Sequence, residues 1–458
     1  MNYSKKFTHA ANKIAFDQKH KQTIKFNISR YDTAVTAGRN RYADLQLARF
    51  RAAFIKRKML SNWDNYLIQF EENATKNGIT VLWAKDTAQA IEYLQEILKE
   101  NEAKLLVKSK SMTTEEIEMN HAAEAVGCES VETDLGEFIV QVAGEKPYHI
   151  VTPAMHKSKE DVAKLFNEKF DLPIDSTPQE MTEYVRQVLR KKYTTADIGV
   201  TGANFLVADI GGIAVTENEG NGVMSTSFPN VHIVFAGIEK IIPSIDDFGM
   251  FWQLLSCMGT GQQITAYNTI FTGARKNNET DGPEKMYVIL LDNGRTELYA
   301  DNENFEALSC IRCGACLNAC PVYKTIGGYT YETTYSGPIG SVITPFYRGF
   351  KDFGHLSSAS SLCGACAEVC PVKIPLPDLL LVNRRKSVEK NLRPYAERTA
   401  MKGFTYVSES RFFFNLPGGL KNMGAYPLNF TLWGPYRKMP KFASCSFSQQ
   451  WKKREKKD

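Results

Sequence analysis

The chain is 458 residues long, 43% apolar and 23% charged, with a formal charge of +5. Such a length suggests two or three domains, and the balance is that of a globular protein with a sizeable core. No run is long and apolar enough to span a bilayer, and the opening MNYSKKFTHAANK has no apolar stretch behind it; neither a transmembrane segment nor a signal peptide is expected, and a cytoplasmic location is.

Residues 1–70 form a basic helical lead. Within it, RNRYADLQLARFRAAFIKRKML lacks Gly and Pro and sets Leu45, Leu47, Phe50, Phe54 and Ile55 on a partly apolar surface. Residues 71–297 then alternate. β-rich runs at Thr80–Ala84, Leu105–Val107, Phe138–Val142 and His149–Thr152 are separated by helical segments such as Thr87–Leu98 and Thr113–Val126. Thr113 with Glu116, and Thr177-Pro178-Gln179-Glu180, mark helix starts. Alternation of this kind implies an α/β domain with a largely parallel sheet. Asn204–Asp209 and Ile213–Glu217 flank Gly211-Gly212 as an inserted hairpin.

This region holds a candidate ligand cleft. Lys108 and Lys110 lie between a strand end and the next helix, where backbone N–H groups and two ammonium groups suit a carboxylate or phosphate; a solvated basic turn is the alternative. Glu217, Glu219 and Asn221 offer carboxylates and an amide on a glycine-containing loop, as ligand contacts or as a plain polar turn. His121, on the helix after the lysines, faces the same cleft or is a packed or surface residue. No GxGxxG, Walker loop or GxSxG occurs, so a dinucleotide, nucleotide or serine-hydrolase site is unsupported.

Ten cysteines in a reducing compartment are not expected to be structural disulfides. Cys128, Cys257 and Cys445 are scattered, and the other seven lie between 310 and 370, inside a cysteine- and glycine-rich region at 298–385. The first motif, Cys310-x2-Cys313-x2-Cys316-x3-Cys320-Pro321, matches the ferredoxin run in which three thiolates grip one cubane and the fourth ligates the other cluster. Zinc sites normally use two pairs of ligands instead. The second motif, Cys363-x2-Cys366-x3-Cys370-Pro371, lacks its first cysteine, and Ser360 stands there. The crossed pattern gives cluster 1 Cys310, Cys313, Cys316 and Cys370, and leaves cluster 2 Cys320, Cys363 and Cys366. Its fourth iron is bound by Ser360, by a distant group such as Cys257 or Cys445, by water or substrate, or is absent, leaving a three-iron cluster. Gly314, Ala315, Gly364 and Ala365 let backbone N–H groups approach the sulfides, which raises the reduction potential. Two adjacent cubanes form an electron relay; a purely structural staple is the alternative.

Residues 386–458 form a C-terminal wrapping segment and basic tail, rich in Pro, Gly and aromatics (Phe412, Phe413, Phe414, Tyr426, Trp433, Tyr436). From Arg437 onward eight Lys/Arg accompany two acids, so the surplus charge sits in the tail. A solvated tail and docking to an acidic partner or anionic lipid are both open. No nucleic-acid module accompanies it, so no DNA or RNA partner is expected.

Six segments are similar to the lactate utilization protein B family: KSKSMTTEEIEMNHAAEAVG, ETDLGEFIVQVAGEKPYHIVTPAMHK, GANFLVADIGGIAVTENEGN, CIRCGACLNACPVY, YSGPIGSVITP and SLCGACAEVCPVKIPL. They span roughly residues 105–378, and the tail through LNFTLWGPYRKMP looks familial too. The resemblance implies a lactate-utilization (LUD) domain with the fold shared by ribose-5-phosphate isomerase and coenzyme A transferases, followed by two [4Fe–4S] clusters on the seven cysteines. It implies action in L-lactate oxidation to pyruvate beside a cysteine-rich partner (protein A), a single-domain partner (protein C) and an unidentified electron acceptor. The three-cysteine second motif belongs to the family pattern, and the family supplies no settled catalytic residue. Oxidation of another 2-hydroxy acid such as glycolate, and a non-enzymatic redox-sensing or scaffold role, are the competing readings.

Overall fold

Helix caps set the first elements. Asn2, Asp17 and Asp44 each accept a hydrogen bond from the backbone N–H three residues on, and so start helices Tyr3–Ile14, Gln18–Arg39 and Leu45–Leu60. A fourth helix, Trp63–Lys76, follows. The Leu45–Leu60 helix buries Arg49, Ala52, Ala53, Ile55, Lys56, Met59 and Leu60, a stripe at helical spacing. Leu47, Phe50 and Phe54 stay exposed, and the Lys373 ammonium lies 3.9 Å from the Phe50 ring centre.

The computed structural model describes residues 2–430 and 438–455. Its strands are β1 (Ile79–Ala84), β2 (Leu105–Lys108), β3 (Glu129–Glu132), β4 (Ile198–Gly202), β5 (Phe205–Val207), β6 (Gly212–Glu217), β7 (Val231–Gly237), β8 (Ile241–Ile242), β9 (Tyr267–Phe271) and β10 (Lys285–Leu291). Six of them form a parallel sheet in the order β1-β10-β7-β4-β2-β3. Every residue of β7 is buried, as expected of a central strand covered on both faces. A mixed sheet, β8-β5-β6-β9, stands beside it. Its β5–β6 pair is the expected hairpin, with Leu206 opposite Ile213. Gly211 turns the chain at a φ of 60°, and a Cβ there would lie 2.2 Å from the Ala74 nitrogen.

Four local expectations need correction. Phe138–Val142 is helical, within Leu135–Val142, because Asp134 caps it through the Glu137 N–H. A short apolar run carries no period that separates strand from helix. His149–Thr152 is irregular, since His149 Nδ1 accepts from the Val151 and Thr152 N–H groups at 3.1 and 3.2 Å and draws them from any ladder. Ser111, not Thr113, caps the helix after β2. The expected Thr113–Val126 helix is two, Met112–Glu116 and Met119–Glu124, parted where Glu118 takes a φ of 53°.

One hydrophobic core runs from Ala52 and Trp63 through Phe205 and Phe251 to Cys316, Tyr323 and Cys370. The α/β part and the cysteine-bearing part thus bury their apolar surface together, in one unit spanning Met1–Lys386. Residues 387–458 form a second unit. Its helices Tyr395–Glu409 and Arg411–Phe414 bury no residue, and Phe404, Tyr406, Phe412 and Phe414 are exposed. Trp433, Tyr436, Arg437, Lys456 and Lys457 lie outside the described residues. Among the described residues no helix is long and apolar enough to cross a membrane.

Candidate iron–sulfur centre and ligand cavity

The two cysteine motifs repeat one backbone course. Arg312 and Gly314 have φ of 59° and 78°; Leu362 and Gly364, at the matching places, have 54° and 85°. Each glycine precedes a short helix, Ala315–Ala319 or Ala365–Glu368. Beyond each motif a backbone N–H returns to the last thiol, from Tyr323 to Cys320 at 3.5 Å and from Ile374 to Cys370 at 3.4 Å. Left-handed residues at these spacings curl successive N–H groups toward one side, the arrangement that suits sulfide and thiolate acceptors.

The thiols fall into two electrostatic neighbourhoods. Burial pushes Cys313 up, and Cys310 and Cys370 push it further. Burial raises Cys316, with Cys310, Cys313 and Cys370 adding to it. Burial raises Cys320, with a contribution from Cys363, and lifts Cys366 to about 11 with help from Cys320 and Cys363. Cys363 is exposed, whereas Cys313, Cys316, Cys320, Cys366 and Cys370 are buried. Among the described residues no three His, Cys, Asp or Glu side chains form a single-ion site. A cubane needs no such convergence, because each thiolate reaches a different iron. The free thiols, the N–H groups aimed at them and the two separate groupings fit iron–sulfur clusters.

Buried cations surround the first group. Arg49 donates from Nε and Nη2 to the Cys370 carbonyl at 3.0 and 2.8 Å. Lys56, fully buried, donates to the Glu239 and Ile241 carbonyls, and burial draws it down to about 7. Glu239, just beyond β7, bridges Arg295 Nε and Arg312 Nη2. Burial would push its carboxyl up, but the two guanidiniums hold it well below the usual carboxylate range. Arg295 also makes a two-point pair with Glu116, at 3.0 and 2.8 Å.

Of the expected cleft residues, Lys110, Glu217, Glu219 and Asn221 meet in one cavity of about 380 Å³, which Lys240, Arg312 and Cys313 also line. Lys110 Nζ donates to the Val151 carbonyl and lies 3.7 Å from Asp134. Glu217 accepts from the Gly222 and Val223 N–H groups and so begins the helix Asn221–Ser227. Glu219 accepts from the Leu135 N–H at 3.0 Å. Its side chain is exposed, yet partial burial and Asp134, with Glu217 adding and Lys110 opposing, push its carboxyl up to about 7. Binding of an anion here should therefore weaken as pH rises through neutrality, when Glu219 ionises. With a small carboxylate such as pyruvate as the probe, any affinity at this cavity should differ severalfold between pH 6 and pH 8 in the native chain and by much less in Glu219→Gln, and an unchanged ratio would remove Glu219 from the site.

The other two expected residues lie elsewhere. Lys108 has 0% side-chain exposure and is 3.3, 2.9 and 3.5 Å from Glu115, Glu132 and Glu137. Its ammonium is spoken for. His121 is exposed on the helix Met119–Glu124 and borders a larger cavity of about 1200 Å³, between Glu116, Tyr148, Tyr329 and Tyr335. Sequence reasoning missed Lys240, Arg312 and Glu239. The signal for two of them was visible, since Glu239 and Lys240 interrupt the apolar run from Val231 to Ile242.

Comparison with known families agrees with this layout. The LUD domain family matches residues 67–291, and the 4Fe-4S dicluster domain family matches residues 306–374. The class so defined is an iron–sulfur protein in which a LUD domain precedes a dicluster domain. Lactate utilization protein B of Bacillus cytotoxicus is 46% identical over 363 residues, 79% of this chain and 76% of its own. The proteins of that name from Bacillus cereus and Bacillus thuringiensis are 45% identical over the same shares. The chain belongs to the lactate utilization protein B family. A DUF162 family protein from Deinococcus radiodurans aligns over 50% of this chain and 98% of its own at 13% identity, but its TM-score of 0.30 is too low to bear on the fold.

Proposed function

We propose that the chain is the iron–sulfur electron-transfer subunit of a complex oxidising L-lactate to pyruvate, which lets lactate serve as a carbon and energy source. It would act in the cytoplasm beside lactate utilization proteins A and C and an electron acceptor of unassigned identity. Residues 71–297 would be the LUD domain, with the ribose-5-phosphate isomerase and coenzyme A transferase fold, and residues 298–385 the dicluster domain. The matched ranges 67–291 and 306–374 and the parallel six-stranded sheet support that division. Residues 1–70 would be the helical lead and 386–458 the C-terminal segment. Cys310, Cys313, Cys316 and Cys370 would hold one [4Fe–4S] cluster, and Cys320, Cys363 and Cys366 a second. The two neighbourhoods of thiols support this crossing.

The observation that carries the reading is that Cys313 lines the same cavity as Lys110, Glu219 and Asn221. A carboxylate-bearing ligand there would meet the Lys110, Lys240 and Arg312 charges and lie against a cluster-binding cysteine. When bound, the clusters supply one-electron transfer. Lys110 and Asn221 would orient the ligand, and Glu219, whose carboxyl is raised by partial burial and Asp134, would hold or release a proton. Cys363, exposed, sets the second site near solvent, where a partner can approach.

Anaerobic mixing of the three proteins with L-lactate, followed by EPR, tests this. The clusters should be reduced by L-lactate, and reduction by glycolate alone would transfer the proposal to that substrate. Cys366→Ala should abolish the second cluster and at least tenfold of the electron flow while the circular dichroism of the α/β part persists. Collapse of the whole fold would instead favour a structural role.

A further inference from the structure

We propose that Ser360 is the fourth protein ligand of the second cluster, bound through Oγ as an alkoxide. The inference rests on the crossed two-cluster reading above and deepens it at the corner where the thiolates run out.

The observation is a matched pair of hydrogen bonds. In the first motif the Arg312 N–H donates to Cys310 Sγ at 3.4 Å. In the second the Leu362 N–H donates to Ser360 Oγ at 3.1 Å. Donor and acceptor are two residues apart in both, and Arg312 and Leu362 take left-handed φ of 59° and 54°. A glycine at positive φ follows each, two residues on. The backbone therefore presents Ser360 Oγ as it presents Cys310 Sγ, with oxygen where sulfur would be. A serine turn by itself also offers Oγ to the N–H two residues on; what exceeds it here is the left-handed course that the two loops share position for position.

The surroundings prepare this corner. Arg384, on the helix that starts at Leu376, donates from Nε to the Ser357 carbonyl at 2.9 Å and from Nη2 to the Ser360 carbonyl at 3.0 Å. That clamp fixes the backbone of the serine, and its guanidinium charge favours an anionic oxygen close by. Cys257 offers less. It is buried on the helix Phe248–Thr260, where the charges bearing on it are those of Arg39 and Arg41 and of no motif cysteine.

On ligation the Ser360 hydroxyl gives its proton to water and Oγ donates an electron pair to the open iron; no electron is transferred. An alkoxide is a harder donor than a thiolate and stabilises ferric iron. The second cluster should therefore have a lower reduction potential with serine than with cysteine at this position.

The test uses the anaerobically reconstituted full chain, with iron and sulfide analysis, Mössbauer spectra and EPR-monitored redox titration of the native protein, Ser360→Ala and Ser360→Cys. The native chain should hold two four-iron clusters. Ser360→Ala should turn the second into a three-iron cluster, seen as a new signal in the oxidised state, while the signal of the first is unchanged. Ser360→Cys should keep four irons and raise the potential of the second cluster alone, which shows that the site still folds. A Ser360→Ala chain with native spectra and potentials would overturn the proposal. So would a native second cluster of three irons, and a native chain with one cluster would overturn the two-cluster reading along with it.

Discussion

Replacing Glu239 by Gln should destabilise the protein by about 3–5 kcal/mol, the usual cost of removing one partner from a buried ion pair. The substitution barely changes shape, so the loss is electrostatic. Glu239 has no exposed side chain and its carboxylate is shared between Arg295 and Arg312, themselves 0% and 5% exposed. Without it Arg312 loses the carboxylate it shares with Arg295, which keeps Glu116, and Lys56 and Lys240 lie nearby. Thermal or denaturant unfolding of native and Glu239→Gln chains at one pH measures this, and a loss below about 1 kcal/mol would mean that the arginines find other anions. A second readout separates charge from packing. Deleting a negative charge should raise the potential of a cluster held at Cys310 and its partners.

Lys108→Met should lose about as much, 3–5 kcal/mol at neutral pH, and in a pH-dependent way. Burial pushes the Glu115 and Glu137 carboxyls up, and Lys108 pulls them back. Without the ammonium they rise further above their unfolded values. A carboxyl raised by folding costs nothing below its unfolded pKa, and its cost grows as pH climbs toward the raised value. The deficit of Lys108→Met should thus be small near pH 4 and large at pH 7. Unfolding curves across that range decide it, and a flat deficit would mean that the damage is steric.

What was legible in the sequence had a covalent or periodic signature. The cysteine spacings marked an iron–sulfur region because such ligand patterns are written in nearly consecutive residues, and the dicluster domain match falls on that region. The parallel sheet was legible because strands and helices alternate, and the Thr177–Glu180 capping box appears as expected, with Pro178 in the first turn. What failed was made by tertiary partners. Lys108 looks like a ligand-binding cation until Glu115, Glu132 and Glu137, from three different elements, close around it. The strand Glu129–Glu132 was missed because ESVE has the polarity of a loop, and only the approach of Lys108 explains a buried Glu132. Arg312 was passed over as a spacer between cysteines, although its place in the motif carries it into both the Glu239 bridge and the ligand cavity.

The bridge at Glu239 also bears on motion. Lys56, Arg295 and Arg312, from the helical lead, the segment after β10 and the first cysteine motif, all grip one residue at the end of β7. A hinge needs a line across which few contacts must break, and here that line would cross a continuous core and a buried charge network. The α/β and cysteine-bearing parts therefore move as one block. The part of the cavity wall outside this network is the turn carrying Asn218 and Glu219, between β6 and the helix Asn221–Ser227. The wall of that cavity formed by Arg312 and Cys313 is anchored by the same charge network that joins the two parts.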